Sequence, residues 1–377
     1  MPAGIAASKM GCNAALNQPP VAPVAHKKEP LEGRPVLALF NEEQMMFEST
    51  AKRLAQSIGI ANPHDLETRE PAIGWKMLTD VGMLGLRARD NGVPLASGVE
   101  VMIAAQALGT TLAPQPFIAA VLASELLALA DAPEALIEEL ATGVTRYGLL
   151  LDRSLERLAA PNEAGSIAWD TEGAQYALGL SAGQVVRVSL AQGFEPGQDV
   201  ADLTRGLLHW RSTTLAAQPI GKPLNAEQLK RWLALALITV SADIVGVLAG
   251  AQAGAVAYSK ERVQYGVLIG SFQAIQHLCA EMFVQEQAAQ SINCYAAWAV
   301  DQLDADEALL AARTAKAYAA AAALPVSETV MQVYGGIGQT WEHIAHVYTR
   351  RAMLNARLFG DEHHQLQQIA NVRLGAH

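Results

Sequence analysis

Charge is scarce in this 377-residue sequence. Asp, Glu, Lys and Arg together make up 17%, against 51% hydrophobic residues. A chain this apolar and this long buries a sizeable core, which excludes disorder over most of its length. So little charge also implies that partner subunits cover much of the surface. Positive charge is the rarer sign: 27 Lys and Arg against 37 Asp and Glu, a net charge of −10, with no basic stripe. Nucleic acid is therefore not an expected partner, and any anionic ligand must rely on local arginines and helix N-termini. Only three cysteines occur, Cys12, Cys279 and Cys294, without CxxC spacing. That argues against a disulfide framework and a zinc site, so no metal is expected and a reducing cytoplasm fits. Long apolar runs flanked like a membrane span are lacking, the Ala-rich 317–325 being too short. Lys27 and Lys28 follow the weakly apolar N-terminal stretch rather than precede it, unlike a signal peptide.

What is present is helical pattern on either side of a different texture. Residues 1–36 show no period and read as a disordered arm. Asn41 to Gln44 resembles a capping box, and Met45, Phe47, Ala51 and Leu54 share one helical face. Further helical runs begin at Trp75, Val99, Pro116 and Ala132, giving an all-helical N-terminal domain over 37–146. Short strand-like runs then start at Gly148, Ser166, Gln175, Gln184 and Gly206, which predicts a small middle β domain over 147–222. Residues 223–377 predict a helical bundle of four long helices, at Gln228–Tyr258, Ser271–Ala299, Ala305–Tyr334 and His343–Arg357. Small residues from Ala249 to Ala255 would let a neighbouring helix approach closely. The expected fold class is α+β, mainly α.

Two polar, glycine-rich blocks interrupt the bundle. The first carries Arg262, Gln264, Tyr265, Gly266, Phe272 and Gln273; the second runs from Gln332 through Gly335, Gly336 and Gly338 to Thr340, Trp341, Glu342 and His343. An arginine at a helix end can clamp a pyrophosphate, and helix N-termini offer free N–H groups. A helix corner with a surface arginine, and a tight helical hairpin, explain each block separately. The second block is not the dinucleotide fingerprint GxGxxG, because no strand precedes it and Trp341 stands at the third glycine; nor is it a P-loop. His343 and His346 are potential ligands, or a pair that packs and hydrogen-bonds near a turn.

Together the blocks resemble the acyl-CoA dehydrogenases, and the likeness extends over the helix–sheet–bundle layout from about residue 38 onward. The resemblance implies an FAD enzyme that desaturates an acyl-CoA thioester between its α and β carbons. It implies that Arg262, Tyr265, Gln273, Gln332, Val333, Tyr334, Gly335 and Gly336 contact the ADP half of FAD held by a neighbouring subunit. Tyr265 stands where the family usually has phenylalanine. The stretch from Gly336 to Ala352 resembles the divergent subunits of bacterial steroid-catabolic acyl-CoA dehydrogenases. That narrower likeness implies an α2β2 heterotetramer with a homologous catalytic subunit, a bulky substrate such as a steroid-derived thioester, and an electron-transfer flavoprotein as acceptor.

The family's catalytic glutamate belongs in the turn that here reads Leu358, Phe359, Gly360, Asp361, Glu362, which puts Gly360 in its slot. Asp361 or Glu362 would serve as base only with a shifted register. The family's alternative glutamate position falls on Ala236, and Asp243 is the only acid between Leu233 and Gly254, where it reads as a buried structural acid. Within 147–222 the family's flavin-ring loop is missing; Ile167 to Asp170 is a distant echo of its strand. The leading expectation is a subunit that completes the FAD site of a catalytic partner. The alternatives are a self-sufficient homo-oligomer using Glu362 or Asp361, and a flavin-free structural subunit.

Overall fold

The computed structural model describes residues 40–197, 201–211 and 216–375; the arm expected at 1–36 lies outside them. Asn41 opens helix α1 (Glu42–Ile58) with the expected reciprocal cap: its side chain accepts from Gln44 N at 2.8 Å, and Gln44 accepts from Asn41 N at 3.1 Å. A single turn α2 (Asp65–Thr68) leads to α3 (Pro71–Asp80), whose proline sits where no N–H is needed. A hairpin, β1 (Arg89–Asp90) with β2 (Val93–Pro94), then interrupts a region expected to be all helix. Its turn residues Asn91 and Gly92 have φ of 49° and 83°, the left-handed pair of a tight hairpin. Helices α4 (Gly98–Thr110), α5 (Phe117–Leu129) and α6 (Glu134–Ala141) follow. Helices α4 and α5 are buried on most faces, so they read as continuous apolar runs rather than amphipathic stripes.

The middle region forms a seven-stranded sheet. Its strands are β3 (Tyr147–Leu151), β4 (Ile167–Trp169), β5 (Tyr176–Ser181), β6 (Gln184–Ser189), β7 (Phe194–Pro196), β8 (Leu207–Trp210) and β9 (Ala217–Ile220), in the order β7-β8-β4-β3-β5-β6-β9. All pairs are antiparallel except β3 with β5. The five strand-like runs all lie in this sheet. Strands β7 (Phe-Glu-Pro) and β9 (Ala-Gln-Pro-Ile) were not expected; each contains a proline and little apolar run to mark a strand. The central strand β3 alternates its faces as the pleat requires. Leu149 and Leu151 join the main core, while Leu150 packs with Ala168, Ala177 and Val188 in a smaller cluster on the other side. Helices and sheet thus share one continuous core.

The C-terminal part is built around α7 (Ala226–Ser259), which packs on α4, α8, α9 and α10. It is long and apolar enough to cross a membrane, but 89% of its most apolar window is buried, as befits the central helix of a bundle. The small residues near its end serve as expected. A Cβ at Gly250 would lie 2.2 Å from the Thr110 carbonyl of α4, so glycine there lets two backbones touch. A second hairpin follows, β10 (Val263–Gln264) with β11 (Val267–Leu268), then α8 (Gln273–Gln302), α9 (Ala305–Tyr334), α10 (Ala345–Arg357) and α11 (Glu362–Leu374). Helix α9 has its expected limits and runs through Pro325. Helix α11 is a fifth helix beyond the four expected, packed on α9.

Candidate cofactor-binding site and the sealed catalytic turn

The two motif blocks lie at one end of the bundle. Tyr258, on the last turn of α7, packs at a tilt against Tyr334, the last residue of α9, with ring centroids 5.0 Å apart. Arg262 follows one turn after Tyr258, its N–H donating to the Tyr258 carbonyl at 2.9 Å. Its guanidinium is exposed and makes no ion pair among the described residues. Tyr265 and Gly266 form the tip of the β10–β11 hairpin, with φ of 54° and 79°, and Tyr265 is 88% exposed. Val263, Val267, Leu268 and Phe272 are exposed on the same short segment. Gln273 opens α8 as expected, and no side chain caps that N-terminus.

In the second block Gly335 leaves α9 at φ 63°, and a Cβ built at Gly335 or Gly336 meets nothing within 4 Å. A ligand can therefore approach this backbone directly. Gln332, Gly335 and Gly336 line an open cleft of about 470 Å³ with Ser327, Glu328 and Thr349. The side chains of Val333 and Tyr334 point into the core, so only their backbone is left for a ligand. A second cleft of about 470 Å³ lies beneath the hairpin, lined by Ser259, Lys260, Leu268, Ile275 and Cys279 among others. The chain therefore presents an exposed cation, an uncapped helix start and open glycine backbone, groups of the kind that can receive a diphosphate. It spreads them along one wall rather than closing them into one pocket.

His343 and His346 are engaged locally. Nδ1 of His343 accepts from Ala345 N at 3.2 Å and its ring packs 4.2 Å from Tyr334; His346 stacks on Trp341 at 5.0 Å. Burial pushes both imidazoles below their ordinary pKa. They pack and hydrogen-bond rather than pointing at a common ligand.

The glutamate slot has a different character. Gly360 has φ 91°, a conformation that disfavours any other residue. A Cβ there would lie 2.5 Å from His364 Cδ2 and 2.8 Å from Gln365 Nε2. Phe359 N donates to the Leu155 carbonyl at 2.6 Å, and the Phe359 ring meets Trp232 edge-on. Asp361 is occupied elsewhere: it caps α11 by accepting from His364 N at 3.0 Å and pairs with Arg357 at 2.6 Å. The His364 N–H, then the Arg357 guanidinium, hold its carboxyl below the usual range, the wrong direction for a base. Glu362 sits in the first turn of α11, where its charge complements the helix dipole. The structure thus gives neither proposed acid the setting of a catalytic base. Ala236 is fully buried in α7.

Behind the turn, Lys316 is fully buried, and its ammonium donates to the carbonyls of Ala356 and Gly360, each at 2.9 Å. Burial pushes it down to about 7. Below that pH Lys316 is charged in both folded and unfolded chains. Between about 7 and the ordinary lysine value of about 10.4 only the unfolded chain keeps the proton, so stability rises with pH. Urea melts of the wild type and Lys316→Met at pH 6, 7.5 and 9 check this. The wild type should gain on the variant across the two upper points, by at most about 1.4 kcal/mol per pH unit.

Asp243 is buried, as expected of a structural acid, and it anchors a network the sequence did not reveal. Arg351 binds it through Nε at 2.8 Å and through a second short bond. Asn355 donates to the same carboxylate, and Arg205 reaches it at 3.4 Å. Arg205 also donates to Asp170 at 3.2 Å and to the Gln115 carbonyl at 2.7 Å. Arg351 further donates to the Ala113 carbonyl at 2.9 Å. Burial alone would raise the Asp243 pKa, but Arg351 and Arg205 outweigh it and hold the carboxyl below its usual range. This knot of Asp170, Arg205, Asp243 and Arg351 ties the sheet region to α7 and α10. Asp170 follows Trp169 in the strand that echoed the family's flavin-ring strand.

Comparison with known proteins places this architecture. The family described as "Acyl-CoA dehydrogenase, C-terminal domain" matches residues 228–374. Acyl-CoA dehydrogenase IpdE2 of Mycobacterium tuberculosis is 28% identical over 347 residues, covering 87% of this chain and 96% of that protein. Acyl-CoA dehydrogenase FadE34 of the same organism is 42% identical over 118 residues, 31% of this chain and 17% of that longer protein. The ChsE4–ChsE5 complex of M. tuberculosis shares the fold, with a TM-score of 0.74 and 22% identity over 90% of this chain and 99% of its own. A steroid acyl-CoA dehydrogenase variant, Tcur3481–Tcur3483, superposes with a TM-score of 0.74 at 21% identity, over 89% of this chain and 99% of its own. Helical layer, sheet and bundle are thus arranged as in these solved structures. Residues 228–374 thus match the acyl-CoA dehydrogenase C-terminal domain, and the chain is similar over most of its length to an acyl-CoA dehydrogenase, a class of enzyme that acts on the CH–CH bond of acyl-CoA thioesters.

Proposed function

We propose that this chain is the non-catalytic subunit of a heteromeric acyl-CoA dehydrogenase and completes the FAD site of a homologous catalytic partner. The observation that carries this reading is the contrast between its two sites. The turn that should bear the glutamate is filled at Gly360, whereas Arg262 and the glycine backbone at Gly335 and Gly336 stand free at the bundle end. Bound FAD supplies the acceptor for the hydride that leaves the β-carbon. Arg262 is placed to neutralise a diphosphate through paired N–H groups. Gln273 and the α8 N-terminus add donors, and Gln332 with the Gly335–Gly336 backbone gives the nucleotide a close surface. The base that takes the α-proton comes from the partner in this reading.

The exposed apolar hairpin from Val263 to Phe272 suits a surface that another subunit covers. The ChsE4–ChsE5 complex and the two-component name of the steroid enzyme support a homologous partner and a steroid-derived thioester; in this reading the assembly is α2β2 and the substrate bulky. An electron-transfer flavoprotein as acceptor and a cytoplasmic location complete the proposal.

The direct test is Arg262→Ala in the co-expressed complex. A charge-assisted hydrogen bond is worth roughly 1.5–3 kcal/mol, so flavin should bind about 10- to 100-fold more weakly. Flavin retained through gel filtration as in the wild type would remove Arg262 and the wall it belongs to from the site.

A further inference from the structure

We infer that the loop from Asp152 to Arg157 is a built-in plug, which fills the crevice between sheet and bundle at Phe359–Gly360 and stays in place in the assembled enzyme. The inference rests on the reading above and deepens it: a plugged crevice is a physical reason for this chain to hold no flavin ring or thioester of its own.

The plug is organised by one carboxylate. Asp152 Oδ1 accepts from the backbone N–H groups of Glu156 and Arg157 at 2.9 and 3.2 Å, and Oδ2 accepts from Ser154 Oγ at 2.6 Å. This turn holds Leu155 at φ 64°, costly for a branched residue and maintained only where the surroundings demand it. What it secures is the aim of the Leu155 carbonyl, which accepts from Phe359 N at 2.6 Å. The next residue of the loop, Glu156, lies 3.5 Å from His364 on α11.

From the bundle side the turn is equally filled. Gln365 donates to the Phe359 carbonyl at 2.5 Å, Lys316 donates to the Gly360 carbonyl, and Gly360 N donates to Arg357 O at 3.1 Å. The N–H and C=O of both Phe359 and Gly360 are therefore satisfied within the chain, so neither residue offers a free N–H to polarise a thioester carbonyl. Phe359 is 1% exposed. Admitting a ligand would require breaking the Leu155–Phe359 bond, which leaves the Leu155 carbonyl unpaired, and exposing buried apolar surface.

Hydrogen exchange on the complex co-expressed with its catalytic partner tests this, with FAD and butyryl-CoA as probes. Peptides spanning 152–158 and 354–360 should be strongly protected, and unchanged within error when the probes are added. Asp152→Ala should speed exchange at Phe359 about tenfold, the size expected for losing one organising turn, while the flavin content of the complex stays the same. Ligand-dependent exchange in these peptides, or loss of flavin in Asp152→Ala, would overturn the plug. A complex that carries no flavin at all would instead overturn the partner reading, leaving Phe359 protection to be judged separately.

Discussion

Arg351→Met should lower the stability of this protein by about 3–5 kcal/mol, the cost of leaving a buried carboxylate without its main partner. The substitution keeps most of the side-chain volume, so the loss isolates the guanidinium. Arg351 contributes two bonds to Asp243 and one to the Ala113 carbonyl, and all of them are inaccessible to water. Arg205 and Asn355 still face Asp243 in the variant, which keeps the loss in this range. Arg351→Lys should recover little, because an ammonium cannot reproduce the fork. Removing both charges with Asp243→Leu and Arg351→Leu should cost much less than the sum of the single changes, since no unpaired ion remains. Urea unfolding of the five variants, the double change included, decides it. Additive losses would mean that the pair does not act as a unit.

Gly360→Glu should restore the family's acid in name and fail to restore its chemistry. The left-handed backbone at φ 91° costs a non-glycine residue of order 1–2 kcal/mol. The crowding by His364 and Gln365 adds roughly 1–3 kcal/mol more. The variant should therefore unfold about 2–5 kcal/mol earlier than the wild type, and the chain alone should gain no acyl-CoA oxidation. Gly360→Ala separates backbone from charge, since it should show most of the same destabilisation. A stable Gly360→Glu chain that oxidises an acyl-CoA without a partner would show that the slot is a vacancy rather than a built turn.

Much of this architecture was legible from the residues because the relevant signals are local. The capping pair Asn41–Gln44 marks a real helix start, and the α9 limits follow from its alanine-rich period. Gly360 in the glutamate slot was visible as a substitution. Why it is glycine became visible only from its φ and from the neighbours that surround the missing Cβ. Asp243 announced itself as a lone acid in an apolar run. Its partners did not, because Arg205, Arg351 and Asn355 come from distant segments and look like ordinary polar residues in sequence. Lys316 was hidden in the same way, within an alanine-rich helix whose face toward α10 could not be known. The β10–β11 hairpin was missed because two-residue strands have no period, so only its turn at Tyr265 and Gly266 could be read. Helix α11 begins Glu362-His363-His364 and carries few apolar residues, so its register was not apparent.

The central claim is that this chain supplies one wall of a flavin site and not the site itself. Flavin-to-chain stoichiometry measures that directly, on the chain expressed alone and on the complex co-expressed with its dehydrogenase partner. The account predicts a colourless lone chain and a mixed complex with one FAD for every two chains. A lone chain that purifies yellow with one FAD per chain, and reduces an electron acceptor with an acyl-CoA, would contradict it.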